Sequence, residues 1–320
     1  MHKLLVNGAT RALARNAGIL GTRQVLLHSL IPLVAPPWKR RQMRQRVRGY
    51  LHRYFPEHDT RTVNLLASRY VHHWCCKHAE DVYVINVPDL HVALGEVDRF
   101  VVHEHAQRFQ EALSHRRGVL AVGAHVGALT FGTVALLSRL RETTAEERGI
   151  VRICMDPELK HYPNMFAGAE QALADFGRDI RYVVTHRESR AIATDMGDAL
   201  ERGALVTTNL DVLVGGDNQL PLELFGAVRV RLPALVGAAK VALRTGAVVL
   251  PWVCTRTRGG FRLRLERPLG PFPRMAAAIR DDDPELLGLT ERLVDVLQGW
   301  IRWHPEQWVY WDRLNRRLAS

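Results

Sequence analysis

Between Gly118 and Leu265 the chain alternates short runs of strand character with longer segments of helical period, and this alternation limits the fold more than any other feature. Val119–Gly123 is a continuous apolar run, as a buried strand is, and Val151–Cys154, Ile180–Val184, Ala204–Leu210, Ala247–Val253 and Phe261–Leu265 also read as strands. A strand apolar on both sides must be covered on both faces, which is the condition of a parallel sheet. Between and after them, Leu129–Leu140, residues 163–177, Ser189–Arg202, Leu235–Thr245 and Thr290–His304 have the length and period of helices, and Gly246 is placed to end one of them. The predicted fold class is therefore α/β, a central, mostly parallel sheet flanked by helices. With 47% apolar residues in 320, a full core can be buried.

The amino-terminal part reads differently. Residues 3–31 form an amphipathic helical pattern, Pro36-Pro37 should extend the chain, and a basic helix should follow to about Tyr54. The stretch from Trp38 to Arg53 is dense in Lys and Arg and carries no acid. We therefore divide the chain into an amphipathic, basic helical arm, residues 1–54, and an α/β domain, residues 55–320. A net charge of +11 calls for an anionic partner, and the arm makes an anionic membrane surface the first candidate. Its most apolar window, residues 18–37, is broken by Arg23, Gln24, His28 and Pro32, so it suits an interface better than a span. The expected location is peripheral, on the cytoplasmic side of an inner membrane, or the cytoplasm itself.

Several function classes lose support. No phosphate-binding glycine loop and no G-x-S-x-G elbow is present. The tryptophans at 300, 303, 308 and 311 read as packing or interface residues rather than a stacking platform, so no nucleic-acid partner is expected. Cys75 and Cys76 are adjacent, and with Cys154 and Cys254 they form no metal-ligand pattern. Asp59 or Thr60 should cap a helix over about residues 60–78. Its His72, His73 and His78 lack an i,i+4 pair, so no metal is expected. Arg280-Asp281-Asp282-Asp283-Pro284 reads as an acidic loop.

One residue stands out for chemistry. His125 lies where the strand Val119–Gly123 ends and the helix from Leu129 begins, among Gly123, Ala124, Gly127 and Ala128. Ligands of open parallel sheets bind beyond the carboxyl ends of strands, and the small neighbours would admit a substrate to the backbone. A histidine there can serve as a general base, although a structural histidine bonding a carbonyl fits the same position.

Five stretches then carry a resemblance in order. GVLAVGAHVGALTFG (118–132) resembles the first motif of the lysophospholipid acyltransferase superfamily, a strand followed by His, four residues and an acid. TTNLDVLVGGDNQLPLELFG (207–226), LPALVGAAKVALRTGAVVLPWVCTR (232–256) and HPEQWVYWDRLNRR (304–317) are similar to successive blocks of its lipid A lauroyl/myristoyl acyltransferase branch. Tyr54-Phe55-Pro56-Glu57 resembles that branch's entry motif, without its Asn.

The resemblance implies transfer of a fatty acyl or similar chain from an acyl-carrier-protein or CoA thioester to a hydroxyl or amine, with no cofactor. It implies His125 as base and Phe225 and Gly226 in the substrate region. Two departures stand beside it. The branch has Asp or Glu five positions after the histidine, and here Thr130 occupies that place. Asp211, also expected just past a strand end, is the preferred substitute orienter, a turn or cap role being its alternative; Thr130 is the second candidate, with Asp217 and Glu223 lesser ones. The block at Arg152–Pro157 lacks the branch's arginine after the strand, which bears on a phosphorylated sugar acceptor. Arg229, Arg231 and Arg256 could bind a carrier phosphate or headgroup, and backbone amides near Gly127 could stabilise an oxyanion. The alternatives are a non-catalytic lipid- or carrier-binding protein of this fold, and an acyl-thioester enzyme with a small-molecule acceptor in a specialised-metabolite pathway.

Overall fold

A computed structural model describes residues 36–86, 99–115, 117–141, 150–154, 180–184, 189–212, 220–226, 228–275 and 278–316. The expected helix at 163–177, the apolar window before Ala35, most of the 1–54 arm, Met155–Pro157 and Asp217 lie outside them. The chain is α/β, with a seven-stranded, mostly parallel sheet flanked by helices.

Two helices lead in. α1 (Pro37–Tyr54) is the expected basic helix; Pro36 is extended, but Pro37 opens the helix at its first position, where a missing N–H costs nothing. Met43, Val47, Leu51 and Tyr54, spaced along one face, are buried in the same core as the helices that back the sheet. Asp59 caps α2 (Thr60–Asn86) by accepting from the Thr62 N–H at 2.7 Å. α2 runs eight residues past the expected end at His78, because nothing from 79 to 86 breaks a helix.

The strands follow as β1 (Val101–Glu104), β2 (Val119–Gly123), β3 (Ile150–Cys154), β4 (Ile180–Val184), β5 (Leu205–Asn209), β8 (Val248–Thr257) and β9 (Gly260–Leu265), in the spatial order β1-β9-β8-β2-β5-β3-β4. From β8 to β4 all neighbours are parallel; β9 reverses against β8, and β1 runs parallel to β9. Two further strands, β6 (Pro221–Leu224) and β7 (Val228–Arg231), form a separate antiparallel hairpin. Interleaved are α3 (Gln107–Ser114), α4 (Leu129–Arg141), α5 (Ser189–Glu201), α6 (Pro233–Thr245) and α7 (Pro284–Trp303). Apolar clusters fill both faces: α1, α2, α5, α6 and α7 contribute to one, and α3 and α4 to the other.

Gly246 ends α6 at φ 67°, a left-handed cap as expected. The acidic stretch at 280–284 is not a loose loop. The Asp283 carboxylate accepts from the Glu285 and Leu286 N–H groups and starts α7 six residues before the expected Thr290, while Asp281 pairs with Lys240 at 2.6 Å. After α7 the chain turns through 3-10 segments Pro305–Gln307 and Val309–Arg316 and returns to the sheet's edge.

Candidate active site

β2 and β5 are parallel neighbours, and their register pairs Gly123 with Asn209. Residues two positions beyond each partner therefore leave the sheet side by side, and these are His125 and Asp211. The Leu210 N–H reaches the Gly123 carbonyl at 2.8 Å and carries the ladder one step further. The Asp211 carboxylate is fully buried. Its Oδ1 is 2.8 Å from His125 Nδ1, and its Oδ2 accepts the His125 backbone N–H at 2.9 Å and the Trp308 indole N–H at 3.0 Å.

This arrangement fixes the imidazole's tautomer. A carboxylate met by N–H groups acts as acceptor, so Nδ1 carries the proton and donates it to Oδ1. Nε2 then holds the free lone pair. The Tyr310 ring packs edge-on against the imidazole at 4.9 Å between centroids and limits its rotation. The His125 side chain keeps 17% of its surface exposed, enough for one ring nitrogen to meet a substrate.

The loop after His125 is held by the turn after α7. Val309 N–H donates to the His125 carbonyl at 3.0 Å, and Gly127 N–H donates to the Gln307 carbonyl at 3.0 Å. The Gln307 side chain brackets Arg256 on β8, accepting its N–H at 2.8 Å and donating to its carbonyl at 3.1 Å. Three strand ends, those of β2, β5 and β8, are thus tied by Gln307, Trp308 and Val309. Sequence reasoning took Trp308 for a packing or interface residue and placed it with Gln307 in the 304–317 block without a site role for either; the register of the turn against β8 and the His125 loop supplies one.

Gly127 needs its lack of a side chain: φ is 75°, and a Cβ would lie 2.2 Å from the Cys254 carbonyl oxygen. Its amide, expected near an oxyanion, is already given to Gln307, and that of Ala128 to Cys254 at 2.6 Å. Neither is available as oriented here.

The remaining candidates scatter. Thr130 is in the first turn of α4, and Asp211 occupies the imidazole's Nδ1 side. Phe225 lies in an aromatic cluster with Tyr54, Phe55 and Trp311, held at φ 58° by the Gln298 side chain accepting its N–H at 2.6 Å, and Gly226 completes that turn. That is packing geometry. Glu223 and Arg229 face each other across the β6–β7 hairpin, both exposed, while Arg231, its pairing partner Pro221 opposite, is half-buried. Arg256 is buried at the same sheet edge as His125 and Asp211. Of the sequence candidates, then, the structure brings His125 and Asp211 into contact and sets Gly127 and Arg256 beside them.

A second imidazole–carboxylate grouping lies nearby, with His304 Nδ1 3.9 Å from Glu306 Oε1. Burial opposes ionisation of Glu306, but the His304 side chain, its own backbone amide and the His73 ring outweigh burial and hold its carboxyl below the usual range. On α2, burial pushes the Cys75 thiol up to about 11.

Residues 186–317 match the family model for bacterial lipid A biosynthesis acyltransferases. The matched segment holds Asp211, Arg256, Gln307 and Trp308; His125 lies upstream of it. No curated protein matches the chain. Over residues 186–317, about two fifths of its length, the chain is similar to the bacterial lipid A biosynthesis acyltransferases.

Proposed function

We propose that the protein transfers a fatty acyl chain from an acyl-carrier-protein or CoA thioester to a hydroxyl or amine acceptor, with His125 as general base and Asp211 as the residue that orients it. The observation that carries this reading is the 2.8 Å contact between His125 Nδ1 and a fully buried Asp211 carboxylate. In the step proposed, Nε2 takes the acceptor's proton while the acceptor oxygen or nitrogen attacks the thioester carbonyl. The new C–O or C–N bond forms, the C–S bond breaks, and the sulfur leaves with the proton held on Nε2. The products are an ester or amide and a free thiol. Asp211 stays ionised throughout and balances the imidazolium between the two transfers. No metal or other cofactor is needed for that balance.

The same reading places the protein at an anionic membrane surface. α1 carries exposed Lys39, Arg41, Arg44, Arg46, Arg48 and Arg53 with no acid among them, and Trp38 at its start is 63% exposed. Trp38, Lys39, Gln42, Met43, Arg46 and Asp312 line a shallow pocket of about 150 Å³. Among the described residues no helix is long and apolar enough to cross a membrane. Juxtamembrane cations contribute up to about 1 kcal/mol each near an anionic surface.

The test is acyl transfer by purified protein from radiolabelled palmitoyl-carrier protein or palmitoyl-CoA to acceptors in phosphatidylglycerol vesicles containing lipid A precursors, glycolipids or small alcohols and amines. Labelled ester or amide with equimolar thiol release is the expected result. Binding of the acylated donor without turnover on any acceptor would establish the non-catalytic alternative instead. Flotation with phosphatidylglycerol vesicles should weaken as salt rises; binding indifferent to both lipid charge and salt would remove the membrane part.

A further inference from the structure

The Asp211 carboxylate has two oxygens with different tasks. Oδ1 faces the imidazole, whereas Oδ2 is anchored by the His125 backbone N–H and by the Trp308 indole N–H. Trp308 is itself fully buried, packed edge-on against Trp311 at 4.8 Å, and its backbone bridges Val126 next to His125. Packing alone does not account for the direction of its N–H. Trp311, equally buried in the same cluster, directs its indole N–H to the Pro305 carbonyl, an ordinary backbone partner. Trp308 directs its own at the carboxylate that meets the imidazole.

We infer that Trp308 is a positioning residue: its indole N–H pins Asp211 Oδ2 so that Oδ1 stays aimed at His125 Nδ1. The inference rests on the His125–Asp211 reading above. Without the indole donor the carboxylate can rotate and share both oxygens with the backbone amide, and the imidazole loses its fixed orientation. Gln307 supports the arrangement by holding this turn in register on Arg256.

The experiment compares Trp308→Phe, Trp311→Phe and Asp211→Asn in the palmitoyl-thioester transfer assay, alongside indole N–H resonances of the tryptophan-labelled wild type and Asp211→Asn proteins. Trp308→Phe keeps an aromatic ring in place and removes the donor. It should lower kcat about tenfold or more with KM unchanged, the scale of one charge-assisted hydrogen bond expressed in the transition state. Trp311→Phe loses an equally buried indole N–H and should lower the melting temperature while the folded fraction keeps its kcat within about twofold. The Trp308 indole resonance should move in Asp211→Asn, a readout that stands even if Trp308→Phe does not fold. Should Asp211→Asn lose activity while Trp308→Phe keeps it, or should the Trp308 resonance stay in place, the positioning role is overturned and the dyad survives. Should Asp211→Asn keep full kcat, the dyad falls, and the positioning role with it.

Discussion

Two imidazole–carboxylate pairs flank the same turn, and they are built for different ends. At His125–Asp211 the contact is 2.8 Å, the acid is fully buried, and its second oxygen is held by two further N–H donors. At His304–Glu306 the separation is 3.9 Å and both side chains retain some exposure. In the first pair the acid holds one ring nitrogen, Nδ1, in a single short contact. In the second, the charge of Glu306 is shared among His304, its own amide and His73, which joins α2 to the turn without orienting any single ring. Proximity of a histidine to an acid therefore says little about catalysis; restriction of the acid's own orientation says more.

The comparison can be broken most directly at the first pair. His125→Ala should reduce acyl transfer at least about 10²-fold, and Asp211→Asn should cost about 10²-fold or more, both in proteins that still fold. Wild-type turnover in a folded His125→Ala protein would make the two pairs equivalent.

An intermediate effect is expected at the second pair, and on stability rather than rate. The folded-state carboxyl of Glu306 is depressed, so its contribution is present above the ordinary carboxylate range and is lost as pH falls through the folded value. Glu306→Gln should therefore lower the melting temperature near neutral pH, with kcat of the folded protein retained. In thermal melts the gap to wild type should narrow as pH falls through the folded carboxyl's titration, below the ordinary carboxylate range. A gap that persists in acid, or a fall in kcat, would show that Glu306 does more than tie α2 to the turn.

The smallest effect sharpens the first pair. With Asp211 already on Nδ1, restoring an acid by Thr130→Glu should change kcat by less than about threefold, the range of a substitution that removes no key contact. A large gain would mean that position 130, and not Asp211, is where the imidazole's partner belongs.

Much of this could be read in the sequence, and the failures have physical causes. The β2 run is apolar on both faces because apolar clusters cover both, and that pattern is visible without coordinates. His125 and Asp211 each stood out by following a predicted strand. The β6–β7 hairpin escaped notice because four-residue strands give too few periods to separate from loop. β1, with exposed Val102 between buried Val101 and half-buried His103, is too short and too polar to announce itself. α7 was misjudged because its cap, Asp283, hides within a run of like charges. Trp308 was the costliest omission: a buried tryptophan's side chain announces packing, and where its N–H points depends on a register between segments 97 residues apart.

The turn that carries Gln307, Trp308 and Val309 follows every strand of the sheet in sequence. During synthesis, β2, β5 and β8 can therefore pair before the turn has emerged, and at that stage Asp211 lacks its indole donor and the His125 carbonyl its Val309 partner. Pairing of these strands and completion of the hydrogen bonds around His125 and Asp211 can thus be separate events in time. A chain ended at Trp303 would correspond to the earlier stage, with β2, β5 and β8 present and the contacts of Gln307, Trp308 and Val309 missing.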